Sequence, residues 1–336
     1  MIAVDANGAD QGPAAVAEGA RRSGLPVVLF GPVASLAGAG PHAEVIDAPQ
    51  TVKADRQPVA AVRSKRDASI VQAARSVAEG RAEALVSAGS TGPTLAAATL
   101  LIKRLHGVFR PALAVLLPIP GGPVLLLDAG ASVEVRPDHL VQFAYMGASF
   151  MEAVVGTSRP RVGLLSVGEE SGKGTPDVLA AHEQLAAGGL DFVGNLEGFD
   201  LPGATADVVV TDGFTGNVAL KVLEGTSKII RDTIRERVRS GLVSTVGGLL
   251  IRGKLEGLRE EIDPERVGGA LLLGLRKPVV VAHGSFGPTG IEHAIKLARR
   301  AVDEDMVGRT GAALEAAGVM RSVPAASVAV GSTGDT

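Results

Sequence analysis

Short aliphatic runs recur along the chain, and each is followed by a turn of glycine and small polar residues and then by apolar residues at helical spacing. The clearest case is residues 207–217, where three consecutive valines predict a strand buried on both faces. The turn after this strand contains Asp212, Gly213, Thr215, Gly216 and Asn217. Apolar residues at helical spacing over 222–238 predict a helix that starts just beyond the turn.

The same order of strand, turn and helix is predicted repeatedly up to about residue 300. The predicted strands cover residues 2–5, 27–30, 84–87, 113–117, 124–127, 162–166, 192–193, 208–210 and 278–282. The predicted helices cover residues 13–22, 60–78, 94–105, 137–154, 176–185, 222–238 and 289–300. Because parallel strands must be joined by crossover helices, this order predicts a doubly wound, three-layer α/β/α sandwich.

We expect residues 1–320 to form a single α/β domain with a protruding helical hairpin inserted at about 228–262. Residues 321–336 are rich in Ala, Ser, Gly and Val and contain no helix start or stop signal, so a disordered tail is predicted there.

Ligands of doubly wound sheets bind outside the carboxyl ends of the strands. Polar residues follow the predicted strands at this position, namely Asp5, Ser90, Thr91, Asp128, Lys173, Asp212, Thr215, Asn217, His283 and Ser285. We predict that these residues converge on one crevice. Asp5 and Asp128 are expected to hold the N–H groups of glycine turns in place, without taking part in the chemistry.

The glycine turns do not match the known nucleotide-binding patterns. Lys173 follows a glycine, but Gly174 stands where a Walker loop needs Ser or Thr, and no G-x-G-x-x-G follows the first strand. We therefore expect no ATP, NAD or other cofactor. No spacing of His, Asp and Glu indicates a metal site.

The remaining groups suit a phosphate anion, since hydroxyls, backbone N–H groups and an ammonium can all donate to it. The predicted phosphate- or substrate-binding residues are Ser90, Thr91, Gly92, Gly213, Thr215, Gly216 and Ser285. The predicted catalytic residues are Lys173, His283, Asp212 and Asn217. Two alternatives stay open: Lys173 as a solvated loop lysine, and His283 as a histidine bonded only to its own turn.

Composition narrows the function further. The chain has no cysteine, so any thiol in the reaction belongs to a substrate. A net charge of -3 and an aromatic content of 3% argue against nucleic-acid binding. The first residues enter a strand without a signal-peptide pattern, and no apolar run reaches the roughly 20 residues of a membrane span, so a cytoplasmic location is expected.

Residues 240–251 form a stretch of twelve residues without a charge, between segments rich in arginine and lysine. Its large apolar residues are Leu242, Val243, Val246, Leu249, Leu250 and Ile251. An apolar tip with basic flanks is suited to the headgroup region of an anionic membrane or to an acidic partner. The alternative is a hairpin buried in a subunit interface.

Taken together, the motifs resemble those of the PlsX family, the bacterial phosphate acyltransferases of phospholipid synthesis. They are IAVDANGAD at 2–10, VSAGSTG at 86–92, LDAGA at 127–131, GLLSVGEE at 163–170, GNLEG at 194–198, ADVVVTDGFTGNVALK at 206–221 and AHGS at 282–285. The resemblance implies a fold similar to that of phosphate acetyltransferases and the isocitrate dehydrogenase group, a homodimer, and work at the inner face of the cell membrane.

It also implies transfer of a long acyl chain from acyl carrier protein to inorganic phosphate. The acyl phosphate would serve a membrane glycerol-phosphate acyltransferase in phosphatidic acid synthesis. We expect Arg231, Arg235 and Arg239 of the predicted hairpin to dock the acidic carrier protein. The alternative is an ordinary solvated helix face.

The chain departs from the family pattern at Gln11, where a histidine is usual, and at Pro93, Thr175 and Phe199. Two other functions are therefore considered. A short-chain acyl-CoA phosphate acyltransferase would need a small acyl pocket and no membrane tip. A non-catalytic scaffold would bring acyl carrier protein to the membrane without releasing a thiol.

Overall fold

The computed structural model describes residues 1–52 and 57–321, apart from the side chains at positions 242, 255 and 258–260. Its strands are β1 (Ile2–Asp5), β2 (Val27–Gly31), β3 (Ala43–Asp47), β4 (Ala84–Ser87), β5 (Ala112–Leu117), β6 (Val124–Leu127), β7 (Arg161–Leu165), β8 (Asp191–Leu196), β9 (Val208–Val210), β10 (Ala270–Leu273) and β11 (Val279–Val281). These strands form a single sheet in the order β3-β2-β1-β4-β11-β10-β5-β6-β9-β7-β8.

Along the chain, most α-helices of the described residues connect one strand to the next. They are α1 (Pro13–Ser23), α2 (Pro58–Ser64), α3 (Ser69–Ala78), α4 (Thr91–Ala97), α5 (Pro137–Phe150), α6 (Pro176–Ala186), α7 (Gly213–Arg239), α8 (Leu242–Glu261), α9 (Pro264–Val267), α10 (Pro288–Asp303) and α11 (Met306–Ala316). Helices α4 and α5 continue into π turns at Ala98–Ile102 and Met151–Val155.

The sheet consists of two parallel blocks that run in opposite directions. Strands β3, β2, β1, β4 and β11 are parallel to one another, and so are β6, β9, β7 and β8. Between the blocks, β10 is antiparallel to β11 and to β5, and β5 is antiparallel to β6. The carboxyl ends of the two blocks therefore lie at opposite edges of the sheet. We call the edge where β1, β4 and β11 end the upper edge, and the edge where β6, β9 and β7 end the lower edge.

The core lies on both faces of the sheet, because the side chains of each strand alternate between two faces. Leu125 and Leu127 of β6 join one buried cluster with α1, α5, α10 and α11. Leu126 of the same strand joins the other cluster with α2, α3 and α4. This arrangement confirms the predicted three-layer α/β/α fold.

Some element boundaries differ from the prediction. The helix predicted at 60–78 is divided into α2 and α3, because the polar run at 64–67 interrupts the apolar spacing and the Ser69 N–H bonds the Gln50 carbonyl instead. Strands β3 and β10 and helix α11 were not predicted. Strand β3 lies at the outer end of the sheet and has no fully buried residue, so its apolar pattern is weak.

Helices α7 and α8 form the protruding hairpin, and beyond its first turn α7 is largely exposed. It begins at Gly213, well before the predicted hairpin boundary, because the helix is continuous from the turn after β9. Within the described residues, no helix combines the length and the apolar character that crossing a bilayer requires. Apart from Arg321, the predicted tail lies outside the described residues.

Two glycines of α7 allow the packing of its first turn to be tested. A Cβ at Gly216 would lie 2.0 Å from the carbonyl oxygen of Asp128, whereas a Cβ at Gly225 would meet no atom within 4 Å. We expect Gly216→Ala to destabilise the fold by about 3 kcal/mol through overpacking. Gly225→Ala should stabilise it by roughly 0.5–1 kcal/mol, because alanine loses less backbone entropy in a helix. Thermal unfolding followed by circular dichroism measures both, and an equal change in the two variants would contradict the close contact.

Candidate active site

At the upper edge, the buried Asp5 carboxylate fixes the turn that follows β4. Its Oδ2 accepts a hydrogen bond from Ser87 Oγ at 2.8 Å. Ser87 Oγ in turn accepts bonds from Thr94 Oγ1 at 3.0 Å and from the Gly89 N–H at 3.2 Å. Burial raises the pKa of Asp5, and the hydrogen bonds to its carboxylate oppose that rise. Asp5 thus positions a glycine turn, as its place in the sequence suggests.

The turns after β1 and β4 pack backbone against backbone. A Cβ at Gly8 would lie 2.5 Å from the Cα of Gly89, so a larger residue cannot stand there without a shift. The Asn7 side-chain amide donates to the carbonyl oxygens of Ala48 and Pro49. The two turns therefore form a rigid floor at the upper edge.

Helix α4 begins on this floor. Ser90 is the N-cap residue in extended conformation, and its hydroxyl makes no capping bond. Within the described residues, no partner is found for the hydroxyls of Ser90 and Thr91 or for the N–H groups of Thr91 and Gly92. These donors lie at the start of a helix, where free backbone N–H groups favour the binding of an anion.

The turn after β11 adds His283 and Ser285 beside this group. The Ser285 hydroxyl lies 2.7 Å from His283 Nδ1, and the Ser285 N–H donates to the same nitrogen at 3.3 Å. Since Nδ1 accepts an N–H bond, the neutral ring carries its proton on Nε2. The Asp10 N–H bonds the Gly284 carbonyl at 3.0 Å, which ties this turn to the one after β1. The structure thus brings Ser90, Thr91, His283 and Ser285 to the ends of neighbouring strands.

At the lower edge, a second buried aspartate organises the turn after β6. Asp128 Oδ1 accepts N–H bonds from Leu113, Gly130 and Ala131 at 2.8–3.1 Å, and Oδ2 accepts one from Ser132 at 2.7 Å. Burial raises the pKa of Asp128, and these N–H donors oppose the rise. Asp128 has the same positioning role as Asp5.

The first turn of α7 packs against the Asp128 turn. The Gly213 N–H bonds the Ser132 carbonyl at 2.8 Å, and the Gly216 N–H bonds the Asp212 carbonyl at 2.9 Å. Both N–H groups are thus engaged within the protein, and the binding of a ligand at Gly213 and Gly216 stays a prediction. Close packing requires glycine at these two positions.

Asp212 caps α7, and this accounts for the polar residues predicted around it. Its Oδ1 accepts the N–H groups of Phe214 and Thr215 at 2.9 and 2.8 Å. Its Oδ2 accepts the Thr215 hydroxyl at 2.6 Å. Both side chains are used in the cap, and the roles of Asp212 in catalysis and of Thr215 in phosphate binding stay predictions.

Lys173 and Asn217 are the lower-edge residues whose polar ends remain available. The Lys173 carbonyl accepts bonds from Ser166 Oγ and Asn195 Nδ2, while its ammonium is exposed and has no partner among the described residues. Asn217 is exposed beside Gly130, with its Oδ1 3.7 Å from the position of a Cβ there.

The structure does not bring the predicted residues together in one crevice. Asp5, Ser90, Thr91, His283 and Ser285 lie at the upper edge, whereas Asp128, Lys173, Asp212, Thr215 and Asn217 lie at the lower edge. The reason is the reversal of strand direction at β10, β5 and β6. A strand of five residues spans roughly 16 Å, and this length separates the two groups.

Sequence reasoning missed Ser87, Thr94 and Asn7, which hold the upper-edge turns in place. A polar residue ending an otherwise apolar strand was the available signal for Ser87. No cluster of three or more His, Asp or Glu residues that could hold a metal ion occurs in the described part of the chain.

The predicted contact residues of the hairpin are exposed where their side chains are described. Val243 and Leu250 are 89% and 83% exposed, and Val246, Leu249 and Ile251 are also exposed large apolar residues. The side chain of Leu242 lies outside the described residues. Arg231, Arg235 and Arg239 are exposed on α7, where Arg231 and Arg235 lie 3.9 and 4.0 Å from Asp232.

Solved structures with the same architecture define the class of fold. The EutD phosphotransacetylase from Staphylococcus aureus superposes with a TM-score of 0.56 at 17% identity, covering 89% of this chain and 94% of that one. A phosphotransacetylase from Streptococcus pyogenes gives a TM-score of 0.56 at 17% identity, covering 94% of both chains. The fold is therefore that of the phosphotransacetylases.

Sequence comparison then gives the family. The family model described as "Fatty acid synthesis protein" matches residues 1–309. The chain is 44% identical over 335 residues to a phosphate acyltransferase from Anaeromyxobacter dehalogenans, covering 96% of this chain and 93% of that one. It is 42% identical over 314 residues to a phosphate acyltransferase from Bacillus pumilus, covering 91% and 95%. The chain belongs to this family of fatty acid synthesis proteins, and it is an enzyme of the acyltransferase class.

Proposed function

We propose that the enzyme transfers a long fatty acyl chain from acyl carrier protein to inorganic phosphate, giving an acyl phosphate for phosphatidic acid synthesis. The observation that carries the proposal is the group of unpartnered donors at Ser90, Thr91 and Gly92, set on the rigid floor of the upper edge. Such donors suit a small oxyanion. The names of the relatives, phosphate acyltransferases, support phosphate as that anion.

In the proposed reaction, a phosphate oxygen attacks the thioester carbonyl carbon. The tetrahedral oxyanion then collapses, the carbon–sulfur bond breaks, and the sulfur leaves as a thiolate that takes up a proton. Phosphate is already a nucleophile at neutral pH, so positioning and oxyanion stabilisation supply most of the acceleration. The proton that hydrogen phosphate gives up balances the one the thiolate takes up. The Nε2–H of His283, on the side of the ring away from the bonds at Nδ1, is proposed to donate a hydrogen bond to the leaving sulfur.

The reaction is tested with the purified chain and palmitoyl acyl carrier protein. We expect release of free thiol that requires phosphate, together with an acyl phosphate that hydroxylamine traps. Octanoyl-, acetyl- and palmitoyl-CoA are assayed alongside, because a preference for short acyl-CoA would favour the short-chain alternative. No release from any donor, with the circular dichroism spectrum of a folded protein, would refute the proposed reaction.

We further propose that the enzyme is a homodimer in which the lower edge of one protomer faces the upper edge of the other. Each edge alone holds only part of the predicted donor set, with the Lys173 ammonium at one and the Ser90 and Thr91 hydroxyls at the other. Helix α7 also exposes a run of large apolar residues, Val218, Val222, Ile229, Ile230 and Ile234. An exposed apolar face of this length is typical of a protein–protein contact.

Complementation between protomers tests this arrangement. Lys173→Met alone should raise the phosphate concentration required at least about tenfold, as should Ser90→Ala with Thr91→Val. A heterodimer of the two variants, isolated through two different tags, contains one intact site if each site uses both protomers. We expect it to recover about half of the wild-type activity. No recovery would place each site within one protomer, and an unchanged phosphate requirement in Lys173→Met would remove Lys173 from the site.

We also propose that the hairpin tip contacts an anionic membrane, where a glycerol-phosphate acyltransferase would use the product. The support is the pairing of exposed apolar side chains with the flanking cations Arg252 and Lys254. Val246→Glu with Leu250→Glu should release the protein from phosphatidylglycerol vesicles in a flotation assay, while turnover of a short, water-soluble thioester stays at the wild-type level. Vesicle binding that survives this change would assign the tip to a protein interface instead.

A further inference from the structure

Two neighbouring cavities open beside the lower edge, and their rims are strongly basic. The larger, about 950 Å³, lies between the segment before β5, the start of α5 and the segment after α11. The smaller, about 550 Å³, lies between the segments that follow α4 and β10. Arg321 borders both. We call the cationic residues of the two rims the basic face: Lys103, Arg104, Arg110, Arg136, Arg276 and Arg321.

The charge of the basic face is not neutralised by the rest of the protein. Within the described residues, none of its six members forms an ion pair with a carboxylate. Among the described residues, the lining of the smaller cavity contains no carboxylate, and that of the larger contains Glu134 and Asp138. Because the whole chain has a net charge of -3, this is a local concentration of positive charge.

Hydrogen bonds hold part of the basic face in place. The Arg104 guanidinium donates to the carbonyl oxygens of Val108 and Phe109. The side-chain Nε of Arg276 donates to the Arg104 carbonyl at 3.2 Å. The backbone N–H of Arg321 donates to the Gly107 carbonyl at 2.8 Å. These bonds hold like charges together, which costs free energy unless an anion is bound.

Arg136 and Arg110 also act on a neighbouring histidine. The Arg136 guanidinium lies 5.6 Å from the centre of the Phe109 ring. Burial lowers the pKa of His139, and the charges of Arg136 and Arg110 lower it further. The contribution of the two arginines is the one expected of a positive electrostatic potential at the mouth of the larger cavity.

The position of the basic face links it to the proposed reaction. Arg110 comes just before β5 and Arg276 just after β10, so both lie at the lower edge, where the Lys173 ammonium is exposed. The arginines predicted to dock the carrier are placed differently: Arg231 and Arg235 flank Asp232 on α7, and Asp232 also pairs with Lys228 at 2.7 Å. Their charge is partly neutralised.

We infer that the basic face is the docking surface for the acyl donor, a small acidic carrier protein whose acyl group hangs from a phosphorylated arm. This rests on the proposed function, which makes an acyl carrier protein the donor. Complementary charge between an anionic carrier and this surface gives specificity and fast association. A neutral thioester with the same acyl chain does not need the basic face.

The test uses Lys103→Glu with Arg321→Glu, because neither side chain donates a hydrogen bond within the described residues. A matched control, Arg66→Glu with Arg309→Glu, makes the same change of charge at exposed arginines elsewhere. We expect the KM for palmitoyl acyl carrier protein to rise at least about tenfold, or roughly 1.4 kcal/mol, in the first variant only. The kinetics with palmitoyl-N-acetylcysteamine, a neutral thioester, should match the wild type in both variants.

Three results would overturn the inference: an unchanged KM for the carrier, an equal loss with the neutral thioester, or a loss found instead in Arg231→Glu with Arg235→Glu and Arg239→Glu. If the KM for palmitoyl-CoA rose while the KM for the carrier stayed unchanged, the first of these results would also indicate a site for a small polyphosphate. Binding of the carrier without an acyl chain, measured by calorimetry at low and high salt, needs no turnover. Its loss in the first variant would support the docking surface even if the proposed reaction failed.

Discussion

The feature on which the rest of the structure depends is the reversal of strand direction in the middle of one continuous sheet. Strand β10 pairs with β11 on one side and β5 on the other, antiparallel to both, and β5 and β6 complete the reversal. Because hydrogen bonding is unbroken across the sheet, the two parallel blocks share the same core layer on each face. As a consequence, the carboxyl ends of the two blocks point away from each other. These are the ends at which parallel sheets carry their polar turns.

In each block, the turn after one strand is held in place in the same way. A strand ends in a buried aspartate, Asp5 in one block and Asp128 in the other, and its carboxylate holds a glycine-containing turn. Around Asp5 the donors are the Ser87 hydroxyl and the Asn7 N–H, and the start of α4 stays open. Around Asp128 they come from four N–H groups, and the first turn of α7 closes over them. Within the described residues, the difference between an open and a closed turn decides which of the two turns presents free backbone N–H groups to an anion.

The sequence predicts the layers well, because runs such as the valines of β9 and the leucines of β6 can only be buried strands. It predicts which residues stand at strand ends, including Ser90 and His283. It does not show strand direction, since a short apolar run reads the same in either orientation, and so it placed Lys173 in one crevice with Ser90. Nor does it show that Asp212 caps α7, because a turn of this composition suits a capping and a catalytic aspartate alike; the bonds from Phe214 and Thr215 establish the cap. Cations far apart in the sequence, such as Lys103 and Arg276, give no signal of their proximity.

The continuity of α7 has a geometric consequence. The helix begins at the lower edge and runs for 27 residues to the hairpin tip without a proline, which corresponds to a rod about 40 Å long. A straight helix of this kind bends little, because a sharp kink needs a proline, an inserted group or a bulge. The hairpin tip is therefore held at a fixed distance from the turn at Asp212. A surface that contacts the tip is separated from the body of the enzyme by up to the length of one helix.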